Sequence, residues 1–236
     1  MAVTAGVSGG ITTNSAAWTT GITLTMPSST AGDTLVLYAH HDEDDASDWN
    51  TPSGWTRHTA IDGAEIGGRD RVTMVCTKVA ASEAGTVVIT GGSGTARQMS
   101  GVVVNYASSD DLDVTSVSGH KQAGTNDATP PNSSITTVTD DAMVVVTCSI
   151  TANDITTWAA PSGYTLVDSV IQTNGNLAIA EFLVSTAAAE SPGDWLSTVG
   201  SNIGEYVTAV IAIKPSAGGG LSIPIAMHHY KQMRGN

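Results

Sequence analysis

The sequence predicts an all-β protein: a pseudo-two-fold β-sandwich, jelly-roll-like and built from two repeated halves, followed by an extended C-terminal arm. Three observations predict this fold class. The composition is typical of strands and turns, one block of residues occurs twice along the chain, and turn signals separate many short apolar runs.

Composition is the first of these observations. Hydrophobic residues make up 41% of the chain, enough for a packed core, whereas charged residues make up only 13%, about half the usual share. Thr and Val, which are frequent, branch at Cβ, so they are stiff in a helix and pack well on a pleated sheet. The chain therefore favours strands over helices.

The internal repeat is the second observation. Trp-Asn-Thr-Pro-Ser-Gly-Trp-Thr at 49–56 matches Trp-Ala-Ala-Pro-Ser-Gly-Tyr-Thr at 158–165, with five of eight positions identical. Three further blocks recur in the same order, pairing residues 33–39 with 141–147, 71–85 with 177–190, and 100–105 with 208–213. The repeat predicts halves of about 20–107 and 134–215 within one body of residues 1–215.

Turn signals, the third observation, bound six predicted strands in each half. The predicted strands lie near 20–26, 34–41, 55–61, 70–80, 85–91 and 97–107, then 134–139, 141–150, 163–170, 176–186, 194–199 and 204–214. Residues 35–39 and 143–146 are continuously apolar, so we expect these strands to be covered on both faces. This favours one sandwich over two domains joined by the polar segment 108–133.

The C-terminal arm, residues 216–236, has no counterpart in the repeat. A Gly-rich hinge precedes apolar residues at alternate positions, as in an extended strand with one apolar face. All 22 acids and seven of the nine Lys and Arg residues lie in 1–215, so the body carries −15 and the arm +2. We predict an arm that anchors to a sheet edge or groove of a neighbour; the alternative is packing on its own body. Its predicted contact residues are Leu221, Ile223, Ile225, Met227, Tyr230, Lys231 and Arg234.

Two patterns are candidates for chemistry, and both are weak. Asp42, Glu43, Asp44 and Asp45 are carboxylates that suit a hard cation, but their spacing is not that of a known calcium loop, so a solvated acidic loop is favoured. Residues 6–10 match Gly-x-Ser-x-Gly, which indicates a nucleophile only between a strand and a helix. We therefore expect no enzymatic activity, no cofactor and no firm metal site.

Charge and cysteine usage limit the partners. With nine basic and 22 acidic residues, the chain repels nucleic acid and anionic membrane surfaces. Cys76 and Cys148 lie inside apolar runs, so we predict two free, buried thiols and folding in a reducing cytoplasm. The N-terminus lacks the basic and apolar regions of a secretory signal, and none is expected.

Four motifs resemble one family when their order is considered: Ala-Gly-Asp-Thr-Leu-Val-Leu at 31–37, Thr-Pro-Ser-Gly-Trp-Thr at 51–56, Val-Ala-Ala-Ser-Glu-Ala-Gly-Thr at 79–86, and Val-Val-Val-Asn-Tyr-Ala at 102–107. The sequence is similar to a β-sandwich family of tailed-bacteriophage virion proteins, which includes capsid decoration and tail-associated surface proteins. The resemblance covers roughly residues 20–215.

The resemblance implies a non-enzymatic virion protein, made in the host cytoplasm and located in the virion, most simply a capsid decoration or cement protein. Its partners would be other virion proteins, in the capsid or tail, and copies of itself. The family has no catalytic residues to carry over.

An adhesin or fibre protein that binds a host surface glycan is the alternative. It predicts an exposed aromatic cleft at Trp18 or Trp195, or a cation at the acidic cluster. The remaining aromatic residues of the repeat block occur at equivalent positions in both halves, which indicates core packing. They are Trp49, Trp55, Trp158 and Tyr164.

Overall fold

The computed structural model describes residues 1–15, 19–43, 49–62, 70–91, 98–114, 118–122, 129–152, 155–172, 175–199 and 203–217. These residues form strands and connecting loops and contain no helix, which confirms the all-β prediction. None of the described segments is therefore a helix of the length and hydropathy needed to cross a bilayer.

Strands cover most of the described chain, and every predicted strand is present within a few residues of its expected bounds. The strands are β1 (Val7–Ser8), β2 (Thr12–Asn14), β3 (Ile22–Met26), β4 (Thr34–Glu43), β5 (Thr56–Asp62), β6 (Asp70–Val79), β7 (Gly85–Ile89), β8 (Met99–Tyr106), β9 (Ser109–Leu112), β10 (Ser118–Gln122), β11 (Ile135–Thr136), β12 (Ala142–Ala152), β13 (Ile155–Ala159), β14 (Thr165–Val170), β15 (Asn176–Val184), β16 (Ala189–Glu190), β17 (Leu196–Val199) and β18 (Ile203–Pro215).

Two large antiparallel sheets hold most of these strands. The first has the order β1-β8-β4-β6-β5, with β2 also paired to β8; the second has the order β10-β18-β12-β15-β14, with β9 also paired to β18. Smaller two-stranded sheets are formed by β3-β7, β11-β16 and β13-β17. Strands at equivalent places in the sequence repeat take equivalent places in the two large sheets, since β8-β4-β6-β5 corresponds to β18-β12-β15-β14. The two-fold rotation between the halves stays a prediction.

The two large sheets face each other across a shared core. Val36 and Tyr38 of β4 pack in the same cluster as Val145 of β12 and Ile211 of β18. Because this cluster draws buried side chains from both halves, the halves share one hydrophobic interior. The shared interior favours a single body over two separate domains.

The outer faces of the large sheets are covered as well. Leu35 and Leu37 point away from the shared core into a second cluster with Trp49, which lies under the β3-β7 pair. A third cluster on the far side of the second sheet holds Val144 and Trp195. Burial on both faces explains why residues 35–39 form a continuous apolar run rather than an alternating one.

The Pro-Ser-Gly repeat forms the same turn twice. The amide of Trp55 donates to the carbonyl of Pro52 over 3.2 Å, and the amide of Tyr164 donates to that of Pro161 over 2.9 Å. Gly54 has φ of 79° and Gly163 of 88°. A positive φ at the third turn residue is what a type II turn requires, and only glycine adopts it without strain.

The segment 108–133 differs from the linker that its polarity suggests. It contributes β9 and β10, which both pair with β18 and extend the second large sheet. Polar Ser-Asp-Asp-Leu of β9 carries no apolar alternation, so its pairing follows from the neighbouring strand rather than from its own sequence.

Candidate functional site

The N-terminal segment, residues 1–10, lies along the edge where the two large sheets meet. Val7 of β1 pairs with Asn105 of β8 in the first sheet. Earlier in the segment, the amide of Thr4 donates to the carbonyl of Ala107 over 3.0 Å, and the amide of Val3 donates to that of Asp141 over 3.4 Å. The segment therefore contacts backbone from both halves.

Glu181 of β15 is the buried carboxylate beneath this segment. Its side chain follows Leu177 and Ile179 on the face of β15 that points to the shared core, and the residue is 6% exposed. The amide of Gly6 donates to both carboxylate oxygens, over 3.1 Å to Oε1 and 3.0 Å to Oε2. This contact joins residues that are 175 positions apart in the sequence.

Gly6 is suited to this position because there is no room for a side chain. A Cβ there would lie 2.7 Å from Val104 Cγ1 and 2.9 Å from both Glu181 Oε2 and Tyr106 Cε1. Contacts this short do not occur at real Cβ atoms, so only glycine allows the backbone to approach the carboxylate.

Burial governs the protonation of this cluster. It raises the pKa of Glu181, and the Gly6 amide and the Tyr106 side chain oppose that rise by stabilising the charged form. Burial also raises the pKa values of Tyr38 and Tyr106 well above their ordinary value, with a further contribution from the negative charge of Glu181. Burial therefore penalises the charged forms of these three side chains.

Ser8 makes the second contact between the N-terminal segment and the second half. Its Oγ donates to Oδ2 of Asp168 on β14 over 2.5 Å and accepts from the amide of Gly10 over 2.9 Å. In the Gly-x-Ser-x-Gly pattern, Ser8 thus lies in β1, and the next element is strand β2. The strand-to-helix turn of a nucleophile elbow is not the local structure here.

An open cavity of about 340 Å³ lies beside Glu181. Its walls are Val3 and Ala5 of the N-terminal segment, Met143 of β12, and Glu181 and Leu183 of β15, with Gly163, Thr165 and Phe182 at the side. Phe182 and Leu183 are 36% and 38% exposed, so this part of the cavity wall is accessible to solvent. We call this the Glu181 cavity; it combines apolar walls with one carboxylate and one hydroxyl.

A separate polar cluster joins β5, β6 and β9. Nε2 of His58 lies 2.6 Å from Oγ1 of Thr77, which donates to Oδ1 of Asp111 over 3.2 Å. Burial lowers the pKa of His58, and Asp111 opposes that shift. Because the Thr77 hydroxyl donates to Asp111, it accepts from Nε2 of His58.

The acidic cluster is only partly described. Asp42 and Glu43 belong to the end of β4, which is two residues longer than predicted, and they pair with Arg71 and Asp70 in backbone register. Asp44 and Asp45 lie outside the described residues. Within the described ranges, no three His, Cys, Asp or Glu side chains are grouped closely enough to hold a metal ion.

The predicted contact residues of the arm also lie outside the described residues. Leu221, Ile223, Ile225, Met227, Tyr230, Lys231 and Arg234 all follow Ala217, where the described part of the chain ends. What is described is the start of the arm: the amide of Ser216 donates to the carbonyl of Ser108 over 2.8 Å, directly after β18 ends.

Trp195 does not form the exposed aromatic cleft that a glycan-binding protein would present. It is 0% exposed, meets Trp158 edge to face at 5.7 Å, and donates from Nε1 to Oδ1 of Asn132 over 3.2 Å. The aromatic residue fills the outer core of the second half because a two-stranded sheet covers it. Trp18, the other candidate, lies outside the described residues.

Both cysteines are free and buried, as predicted. Burial raises the pKa of Cys76 to about 12 and that of Cys148 well above its ordinary value. Thiols in this state are protonated near neutral pH and react slowly.

Sequence reasoning missed Glu181, Gly6 and Asp168, although one signal for Glu181 was present. A charged residue at a core-facing position of a strand, two residues after Ile179, breaks the period-two pattern and indicates a paired carboxylate. Gly6 and Asp168 carried no such signal.

Comparisons with protein-family models, with curated proteins and with solved structures found no match for this chain.

Proposed function

We propose that the chain is a non-enzymatic virion structural protein, a capsid decoration or cement protein that is anchored to neighbouring subunits by its C-terminal arm. The observation that carries the proposal is the contrast between an acidic, closed β body and a basic, apolar arm that leaves it at one end. The motif order that resembles tailed-bacteriophage virion proteins supports the same function.

The body suits a role on a particle surface. Its core is shared between two sheets, and each large sheet also buries a cluster on its outer face. The charge of −15 on residues 1–215 would keep particles dispersed in solution. Attachment therefore falls to the arm.

The start of the arm is held in place, which is useful for an anchor. Ser216 is bonded to Ser108, so the arm begins from a defined point next to β18 and β9. Its apolar residues at alternate positions suit addition to a sheet edge or groove, and its two cations suit an acidic acceptor surface.

The test compares the full chain with a chain that ends at residue 215 in co-sedimentation with purified capsids of the phage that carries the gene. We expect the full chain to sediment with the capsids and the shortened chain to stay in the supernatant. Equal sedimentation of the two chains would contradict the proposal.

A matched control separates the role of the arm from that of its length. A full-length chain with Leu221, Ile223 and Ile225 all changed to Ser keeps the length and charge but loses the apolar face. We expect it to behave like the shortened chain. Circular dichroism of both variants should match that of the full chain, because the changes lie outside the body.

A glycan-binding adhesin is the second candidate, and the buried state of Trp195 removes one of its two predicted aromatic platforms. Under this candidate, the chain ending at 215 would bind a glycan array as well as the full chain does. Absence of binding by both chains would contradict it.

A further inference from the structure

We infer that the Glu181 cavity of one copy receives the C-terminal arm of a second copy, so that two copies exchange arms. This inference rests on the proposed function, in which the arm is an anchor, and names the surface to which the arm binds.

Position is the first argument. Ile213 of β18 pairs with Met143 of β12, and Met143 pairs with Leu183 of β15, so the three lie in one row across the second sheet. With strands about 4.8 Å apart, the Cα atoms of Ile213 and Leu183 are roughly 10 Å apart. The strand that leads into the arm, β18, therefore ends on the side of the sheet where the strand ends border the cavity.

The exit of the arm also lies next to the segment that forms one cavity wall. The amide of Ser216 donates a hydrogen bond to the carbonyl of Ser108. The amide of Thr4 donates to the carbonyl of Ala107, which directly precedes Ser108 in the chain. Thr4 stands between Val3 and Ala5, which both line the cavity. The cavity wall and the start of the arm are therefore bonded to adjacent residues of the chain.

Chemistry is the second argument. The cavity offers apolar walls from Val3, Met143 and Leu183 around the carboxylate of Glu181. The arm has apolar residues at every second position from Leu221, two cations and no acid. An apolar strand with basic residues fits an apolar cavity in an acidic body better than any strongly acidic segment would.

Reach and symmetry argue for exchange between copies. The arm beyond Pro215 would span roughly 70 Å if extended, far more than the distance to its own cavity. Because exit and cavity share one end, two copies that meet end to end place each exit near the other's cavity. Such a contact is isologous and closes after two copies in solution, so attachment to a capsid requires the pair to open and release an arm. An arm that occupied its own cavity would leave no anchor for a neighbour.

The direct test is cysteine cross-linking between two different chains. One chain carries Leu183→Cys in the cavity and the other carries Ile225→Cys in the arm, since a disulfide requires Cα atoms within about 7 Å. Native Cys76 and Cys148 are buried and do not compete. We expect a covalent heterodimer after mixing and mild oxidation. Leu196→Cys is the control, because Leu196 is 53% exposed but lies on β17 in the outer layer, and it should not cross-link.

A second variant measures the energetic side. Leu183→Glu adds a charge to the cavity wall, and we expect self-association of the full chain to weaken at least about tenfold in analytical ultracentrifugation. Leu196→Glu, a change of the same kind on the outer layer, should leave the dissociation constant unchanged. Both positions are exposed, so both variants should fold.

The outcomes separate this inference from the proposed function. A disulfide that forms only within a single chain carrying both cysteines would show that the arm occupies its own cavity and would overturn the exchange. If no disulfide forms and the chain ending at 215 still fails to sediment with capsids, the Glu181 cavity is not the binding site of the arm. The arm would then still be the anchor to the capsid. If the heterodimer forms but the shortened chain sediments normally with capsids, the exchange stands and the proposed anchoring to the capsid fails.

Discussion

Glu181 occupies a strand position that the alternation of β15 assigns to an apolar side chain. The chain accommodates the carboxylate by bringing the Gly6 amide, 175 positions away in the sequence, to both of its oxygens. Desolvation outweighs this stabilisation, because the pKa of Glu181 is raised. Its charged form is therefore less favourable in the folded chain than in the unfolded chain.

Stability should consequently depend on pH through Glu181. The unfolded side chain loses its proton near the ordinary value of 4.5, whereas the folded one keeps it to higher pH. The contribution of Glu181 to the free energy of unfolding is therefore full below that value and is lost as pH rises through the raised pKa. We expect Glu181→Gln to gain stability relative to the natural chain as pH rises from about 4 to about 8.

Urea unfolding of both chains across this pH range measures the effect. Glu190→Gln, which changes a carboxylate on β16 that accepts from the Tyr164 hydroxyl, is the control for general charge effects. A stability difference between the Glu181→Gln variant and the natural chain that stays constant with pH would contradict the prediction.

Gly6→Ala tests the close approach of backbone and carboxylate. The added Cβ would meet Val104 and Glu181 at less than 3.0 Å, so we expect a loss of about 1–3 kcal/mol in the free energy of unfolding. Gly193→Ala is the matched control, since its Cβ would meet only the amide nitrogen of Ser162, at 4.0 Å. Equal stabilities of the two variants would show that the N-terminal segment is not held tightly.

At the scale of elements, the two-stranded sheets decide which aromatic side chains are buried. The β13-β17 pair and its preceding turn place Trp195 in the third cluster, with its indole N–H bonded to Asn132. The next residue, Leu196, points outward and is 53% exposed. One step along the chain thus separates a core residue from a surface residue.

Trp195→Ala should cost about 3–5 kcal/mol of unfolding free energy, because it removes a large buried side chain and leaves a cavity. Leu196→Ala should change it by less than about 0.5 kcal/mol, as exposed substitutions usually do. Denaturant unfolding of the two variants checks both values. Comparable losses for the two would mean that Trp195 is accessible, which would restore it as a candidate for sugar binding.

At the scale of the whole molecule, the shared core couples the two halves. Its buried side chains come from β4, β6 and β8 on one side and from β12, β15 and β18 on the other. Neither large sheet would have this face covered if the halves separated. Unfolding of one half would therefore expose the core of the other.

We expect a single thermal transition in calorimetry, with equal calorimetric and van't Hoff enthalpies. Trp195→Ala changes only the outer core of the second half, yet it should move the whole transition, by roughly 2–4 °C for each kcal/mol lost. Two transitions, of which only one moves in this variant, would show that the halves unfold independently.

The sequence by itself determined the all-β class, the positions of the longer strands, the two Pro-Ser-Gly turns and the buried thiols. These features follow from local composition and from a period of two, which each segment carries in its own residues. The special position of Glu181 could be predicted in part, because a charged residue there interrupts the apolar residues on the inward face of β15.

Only the tertiary structure decided the rest: the pairing of β9 and β10 with β18, the burial of Trp195, and the contacts of Gly6 and Ser8 with Glu181 and Asp168. Each of these features joins residues far apart in the chain. The short polar segments involved have no periodic pattern from which their pairing partner could be predicted. Their positions follow from hydrogen-bonding groups and apolar surfaces that become available only once the two large sheets face each other.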